Sequence, residues 1–364
     1  MFSSIRNTIP RQFSRAYSNA SAPGPNKGNG IIWASLATGA VLVGGRSTTH
    51  LSRVISYYIG LSTQQPPPTT AHKLNHSTLK WPQIGYVYSR RTYTPDIGTQ
   101  AHPAPVSKAL DPTKFVEFKL RESVPINHDT SLFRFGLEPA QELGLDITSC
   151  LVVKETLGDD AKPTIRPYTP VSSQDTRGHF DLVIKKYETG KMSAHIHSMA
   201  PGDVLAMKGP IKKFPYKTNA LKEIGMIAGG SGITPMLQLI NHVLEDPSDH
   251  TKLTLVFANK SENDIILRST LDELAKQHPN QLKVHYVVDK ASSRNWKGDV
   301  GYVTKELVQK YMPSPSDKDV LVSVCGPMPM MKSVSGPKAP DYSQGEVSGI
   351  FKELGYTSEQ VFKF

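Results

Sequence analysis

The chain has 364 residues and a formal net charge of +10, long enough for two domains with additional segments. The charge is unevenly placed: ten basic residues and no acidic one precede Asp96, and from there on 32 basic residues balance 32 acidic ones. A neutral body removes the case for a basic nucleic-acid-binding surface, and two cysteines, Cys150 and Cys325, exclude a disulfide framework.

Residues 1–30 are rich in Ser, Arg and Asn and lack acids, the composition of a mitochondrial transit leader. Arg15-Ala16-Tyr17-Ser18 resembles a processing site with Arg three residues before cleavage. Residues 31–45 are apolar and uncharged, between Lys27 and Arg46. They are shorter than the ~20 residues of a spanning helix and are read as a short membrane anchor, with a buried helix or a sorting signal as the alternative. Residues 46–108 contain Pro66-Pro67-Pro68 among Thr, His, Ser and Gln and are read as a disordered linker.

From Lys114 onward the texture changes. Phe115, Glu117 and Lys119 alternate with Val116, Phe118 and Leu120, a strand period. Further short strands are expected at 132–137, 151–155 and 180–187, and their spacing predicts an antiparallel β-barrel over 109–217. Past Tyr216 the pattern becomes α/β. Strands expected at 225–228, 253–258, 284–289 and 320–325 alternate with helices at 235–245, 269–277, 304–311 and 346–354. This alternation predicts a doubly wound parallel sheet over 218–364. Ligands of such sheets bind beyond the carboxyl ends of the strands.

Three motifs carry chemistry. After the apolar run Ile224, Met226, Ile227, Ala228, the glycines Gly229, Gly230 and Gly232 let the backbone turn and approach a ligand. Thr234 can cap the following helix and Pro235 suits its first position. Such a helix start attracts phosphate, although G-G-S-G-I-T-P is neither G-x-G-x-x-G nor a P-loop, and an ordinary strand-to-helix turn is an equal reading. Arg166-Pro167-Tyr168-Thr169-Pro170 sets a guanidinium, a ring and a hydroxyl in one stiff extended run, suited to a flat phosphorylated ligand. Gly190-Lys191-Met192-Ser193 offers a second helix start for an anion.

In order, RPYTP, GKMS, GPIKKFPY, MIAGGSGITPML, ANKSENDIILR, VCGPMPMM and the terminal VFKF resemble the flavoprotein reductases of the ferredoxin–NADP reductase superfamily. Within it the likeness is greatest to the NADH–cytochrome b5 reductase family, and the leader and ending look like its fungal mitochondrial form. The resemblance covers about residue 112 to the end. It implies an FAD barrel and an NADH domain. By motif, Arg166, Pro167, Tyr168, Thr169, Ile184, Tyr187, Gly190, Lys191, Met192, Ser193 and Thr234 would hold FAD. Gly229, Gly230, Gly232, Ile233, Thr234, Asp289, Cys325, Gly326, Pro327 and Met328 would hold NADH. Thr169 and Cys325 would serve the reaction itself, Thr169 near flavin N5 and Cys325 placing the nicotinamide without covalent chemistry. No metal is implied.

Asp289 would meet the adenosine ribose, accepting from a 2′-hydroxyl and repelling a 2′-phosphate. Like charges about 4 Å apart cost about 1 kcal/mol in water and about 4 near a protein surface, so a preference for NADH of roughly ten-fold or more follows. Three departures from the family pattern stand out: a short loop between Tyr187 and Gly190, no second Gly in GPIKKFPY, and Met328 where Pro is usual.

The function implied is hydride transfer from NADH to FAD and single-electron transfer to cytochrome b5 or a similar haem protein. Lys185, Lys186, Lys191, Lys212 and Lys213 would steer an acidic partner, with a solvated face as the plain alternative. Another one-electron acceptor, or a non-catalytic membrane-tethered nucleotide-binding protein, remains open. A monomer anchored through its N-terminal segment, in the mitochondrial outer membrane or the intermembrane space, is expected.

Overall fold

The first domain is built from strands, most of which turn buried side chains to one interior, while the edge strand Thr164–Tyr168 is only half-buried. β1 (Val116–Pro125), β2 (Thr130–Gly136), β3 (Ser149–Glu155), β4 (Thr164–Tyr168), β5 (His179–Lys185) and β6 (Val204–Lys212) form one six-stranded antiparallel sheet, in the order β4-β3-β6-β1-β2-β5. The computed structural model describes residues 106–158 and 162–364. The expected leader, anchor and most of the linker lie outside the described residues. Among the described residues no helix is long and apolar enough to cross a membrane.

Phe118, Leu120, Phe133, Phe135, Leu151, Val153, Phe180, Leu182, Leu205 and Met207 share one core, with Tyr168 of β4 packed on it. All six strands therefore wrap a single interior, as a barrel does. Helix α1 (Lys191–Ser198) plugs it with Met192 and Ile196 and lies against β4. The edge position of β4 explains how Pro167 sits inside a strand, since an edge has a side that needs no donor. The sequence reading missed β4 and β6. Pro167 interrupts the first pattern and Gly209-Pro210 the second, although β6 still alternates buried and partly exposed positions.

The second domain is a parallel sheet in the order β10-β9-β8-β7-β11-β12. Its strands are β7 (Glu223–Gly229), β8 (Lys252–Asn259), β9 (Leu282–Val288), β10 (Asp299–Val300), β11 (Val320–Cys325) and β12 (Val361–Lys363). The helices are α2 (Ile233–Glu245), α3 (Arg268–Gln277), α4 (Lys305–Tyr311), α5 (Met328–Val334) and α6 (Gly349–Leu354). One face packs on α2 and α3, the other on α4, α5 and α6. The expected order of strands and helices holds. The short elements β10, β12 and α5 were not foreseen, because two to seven residues carry too little period to read.

All described residues belong to one compact unit, and the two domains share a core. Leu132 of β2 and Val183 of β5, on the outside of the barrel, join the cluster around α2. That explains why α2 is buried nearly all round. Its Gln238 Nε2 donates to the Ser149 carbonyl of β3 at 3.2 Å.

Candidate functional site

The chain adds β7, β8 and β9 in one direction, then returns to lay β11 on the other side of β7. This makes a switch point, and the crevice beyond it is the standing ligand position of such sheets. Gly230, Ser231 and Gly232 follow Gly229, the last residue of β7, and Gly326 and Pro327 follow Cys325, the last of β11, which is in register with Ala228. The two turns touch. A Cβ on Gly232 would collide with the Cys325 carbonyl, and one on Gly229 or Gly326 would meet Met330. Gly230 has φ +52° and open space where a Cβ would stand, so its backbone faces the crevice uncovered.

The helix begins two residues earlier than expected. α2 starts at Ile233 with Gly232 before it and no side-chain cap. Thr234 is therefore inside the first turn, its hydroxyl on the Ser231 carbonyl at 3.3 Å, and Pro235 stands third. Ile233 is fully buried and Thr234 nearly so.

Asn259, at the carboxyl end of β8, is 7% exposed, and neither its amide oxygen nor its nitrogen has a partner among the described residues. β8 is hydrogen-bonded to β7 up to Gly229 and Ala258, so this orphaned amide lies level with the glycine turn. A buried amide without partners costs free energy, and a polar ligand in the crevice relieves it. Sequence reading missed Asn259, though it stands inside ANKSENDIILR. Asp289 is exposed just past β9, its N–H on the Asn259 carbonyl at 3.0 Å. Gly301 donates to the Val288 carbonyl at 2.8 Å, which sets the 77%-exposed ring of Tyr302 one residue beyond that contact. Tyr302 was also missed; an exposed large aromatic is visible only after folding.

In the barrel, Arg166, Pro167 and Tyr168 end β4, with Tyr168 opposite Leu151 of β3. Arg166 is exposed and donates to its neighbour's carbonyl at 2.8 Å. Burial pushes the Tyr168 phenol up to about 12, so it is a neutral donor at ordinary pH. Thr169 follows, half-buried. Ile184 is buried in β5 and its carbonyl meets His197 Nε2 of α1 at 2.9 Å. Ser193 is committed to the local turn. Its hydroxyl donates to the Gly190 carbonyl at 3.0 Å and accepts from the Tyr187 N–H at 3.1 Å. A Cβ on Gly190 would strike that hydroxyl. The short 187–190 loop is thus a built turn that presents exposed Lys191 at the start of α1, over buried Met192.

At the glycine turn the two halves are joined by a hydrogen bond: Tyr187 Oη lies 2.7 Å from Ser231 Oγ. Close by, Lys185 Nζ is 2.5 Å from Asp129 and 3.5 Å from Asp264 of the second domain. His128 Nε2 stands 3.4 and 3.6 Å from the same carboxylates. Lys185 is only 11% exposed, so it does not belong to an exposed steering face. Lys186, Lys191 and Lys212 are exposed and Lys213 is partly buried.

Cys325 is partly buried, and burial pushes its thiol up to about 11, against the pull of the Lys338 ammonium. It is a neutral thiol near pH 7 and lacks the thiolate a nucleophile needs. Met328 is 57% exposed at the rim of the crevice.

Residues 117–216 match the model of the oxidoreductase FAD-binding domain, and residues 226–336 that of the oxidoreductase NAD-binding domain. The NADH-cytochrome b5 reductase-like protein of Arabidopsis thaliana is 54% identical over 260 residues, 70% of this chain and 78% of that one. NADH-cytochrome b5 reductase 2 of Mycosarcoma maydis is 47% identical over 270 residues, 73% of this chain and 77% of that one. Among solved structures, the cytochrome b5 reductase domain of Ulva prolifera nitrate reductase superposes with a TM-score of 0.62 at 33% identity, over 71% of this chain and all of that one.

Proposed function

Because the chain belongs to the NADH–cytochrome b5 reductase family and carries oxidoreductase FAD-binding and NAD-binding domains, we propose that it takes electrons from NADH through FAD and delivers them singly to cytochrome b5 or a similar haem protein. When bound, FAD supplies the chemistry that a side chain cannot, accepting a hydride and releasing electrons one at a time.

The residues present fit both groups. On the FAD side, β4 with Arg166 and the neutral Tyr168 phenol lies against α1, whose first residue is exposed Lys191. On the NADH side stand the bare backbone of Gly230 and the orphaned Asn259 amide. Arg166 and Lys191 hold phosphate, Tyr168 and Thr169 the flavin ring, and Ile184, Met192 and Ser193 shape the floor. Gly229, Gly230, Gly232, Ile233 and Thr234 receive the NADH pyrophosphate. Cys325, Gly326, Pro327 and Met328 border the nicotinamide, the Cys325 thiol placing the ring as a neutral contact. Asp289 and Asn259 take the adenosine end. The protein's share of the catalysis is fixed distance and orientation.

The observation that carries this reading is the Tyr187–Ser231 hydrogen bond, because it joins the flavin-side turn to the nucleotide turn in one crevice. The test is the visible spectrum of the purified chain, followed by anaerobic NADH and, separately, NADPH. Flavin bleached quickly by NADH and slowly by NADPH is expected, and Asp289→Ser should shrink that difference roughly ten-fold. A folded chain without flavin refutes the enzyme.

The physiological setting rests on the sequence alone. The acid-free leader directs the chain to mitochondria, and residues 31–45 hold it at the outer membrane, with a processed form free in the intermembrane space. Protease treatment of isolated mitochondria, with and without rupture of the outer membrane, tests this; a matrix-protected chain contradicts it. Exposed Lys186, Lys191 and Lys212 steer an acidic haem partner, so reduction of cytochrome b5 should slow with salt.

A further inference from the structure

The 336–348 segment between α5 and α6 contains no regular secondary structure, yet it is fastened at both ends by one side chain. Lys363 of β12 is 1% exposed, and its ammonium donates to the Pro337 carbonyl at 3.1 Å and the Glu346 carbonyl at 2.7 Å. Gln344 clasps the Lys363 backbone from the other side, its amide donating to the Lys363 carbonyl at 3.0 Å and accepting from its N–H at 2.6 Å. A fully buried ammonium held only by carbonyls is an expensive staple. Surface loops are rarely secured in this way, so the position of what this loop presents matters.

What it presents is Lys338. The ammonium is half-buried and has no carboxylate partner among the described residues. Lys338 directly follows Pro337, which the staple holds on Lys363, and Lys363 stands opposite Val324 in the pairing of β12 with β11. The stapled loop thus lies at the carboxyl end of β11 beside Cys325, with its ammonium in electrostatic reach of that thiol and of Cys150 in β3 of the barrel. The stapled loop therefore carries a cation to the place where the two domains meet beside the proposed hydride-transfer position. Its charged neighbours are Lys213, after β6, and Lys363; its titratable neighbours are the two thiols. Burial and the like charge of Lys213 draw the Lys338 ammonium down to about 8. Among the described residues no carboxylate offsets this positive charge.

This inference rests on the flavin reductase reading. We propose that Lys338 is an electrostatic residue of the redox crevice, held by the Lys363 staple so that its ammonium offsets the negative charge gained by the bound flavin on two-electron reduction. The balance is simple: a hydride carries two electrons and one proton from NADH, leaving NAD⁺, and a neutral flavin that receives it bears one negative charge. An ammonium without a counter-ion favours that form over the oxidised, neutral one, which raises the two-electron potential. In the oxidised protein the same ammonium repels Lys213 without compensation, so the interaction is stronger in the reduced state, the difference that matters for driving the transfer.

The test is the midpoint potential of the bound flavin in the full chain, measured by dye equilibration at pH 7 for wild type, Lys338→Met and Lys338→Arg. Methionine keeps the length and removes the charge; arginine keeps the charge. The expected result is a tenfold loss of preference for the reduced flavin in Lys338→Met, which is about 30 mV downward for a two-electron couple, with Lys338→Arg close to wild type. An unchanged potential in a flavin-loaded Lys338→Met overturns the proposal. Equal falls in both variants overturn it too, since they trace the effect to packing rather than charge. A wild-type chain that takes up no flavin overturns the function itself, which separates the two failures. Lys363→Met, which cuts the staple, should lower the potential as Lys338→Met does; a wild-type potential in a folded Lys363→Met rejects the positioning role of the loop.

Discussion

Two glycines in one turn are required for different reasons. A methyl group on Gly232 would strike the Cys325 carbonyl, which is backbone and cannot swing aside. Gly232→Ala should therefore separate the two strand-end turns, cost about 1–3 kcal/mol as overpacking does, and weaken NADH binding, read by thermal unfolding and by titration of the bleaching. Gly230 has room for a methyl group but a φ of +52°. Gly230→Ala should cost only the left-handed penalty of about 1–2 kcal/mol. Cys325 gives a pH prediction. With its thiol held up to about 11, the native alkylation rate should still be rising at pH 10, where an unburied thiol has levelled off. The linkage has a definite sign: between about 9 and 11 the unfolded thiol has lost its proton and the folded one has not, so this group's contribution lowers stability as pH rises through that window.

At the level of elements, most helices here rely on burial rather than caps, and α4 is the exception. Thr304 Oγ1 accepts from the Leu307 N–H at 3.3 Å, so one of the free donors of that helix start has a side-chain partner. Thr304→Ala should lose about 1 kcal/mol in urea unfolding and leave flavin uptake unchanged, because α4 packs on the far face of the second sheet with α6. Helix α2 is the opposite case. It has no side-chain cap, and its nine buried residues are pressed between the sheet and the barrel. Its N-terminal N–H groups are thereby left available at the crevice.

At the level of the whole molecule, the domain interface combines the shared apolar core with the ion pairs of Lys185, Asp129 and Asp264. Lys185 and Asp264 are about a tenth exposed, so water screens them little. Lys185→Met would leave Asp129 and Asp264 facing each other with only the exposed His128 beside them. Stability should fall by about 2–3 kcal/mol, at or below the range for breaking a buried pair, measured by urea unfolding. The Tyr187–Ser231 bond crosses the same seam, so the variant should also weaken NADH binding. Asp264→Asn, which keeps a polar partner for the lysine, should be milder on both counts.

Sequence alone determined the domain order, the alternation of strands and helices and the motif turns, because these depend on residues near one another along the chain. A glycine run after an apolar strand is a local statement, and so is RPYTP; both lie where such statements place them, at strand ends. Helix starts were less legible: Thr234 has the chemistry of a cap, but tight contact between Gly232 and Cys325 begins the helix before it. Only the tertiary structure decided which groups face one another across long sequence separations. Tyr187 meets Ser231, Asn259 is buried beside the glycine turn, Lys185 leaves the surface for an ion pair, and Lys363 pins a loop that carries Lys338 to the thiols. None of these shows in composition or period. They arise because folding brings residues tens to hundreds of positions apart into a region of low water content, where a single charge or orphaned amide counts for far more than it does in the unfolded chain.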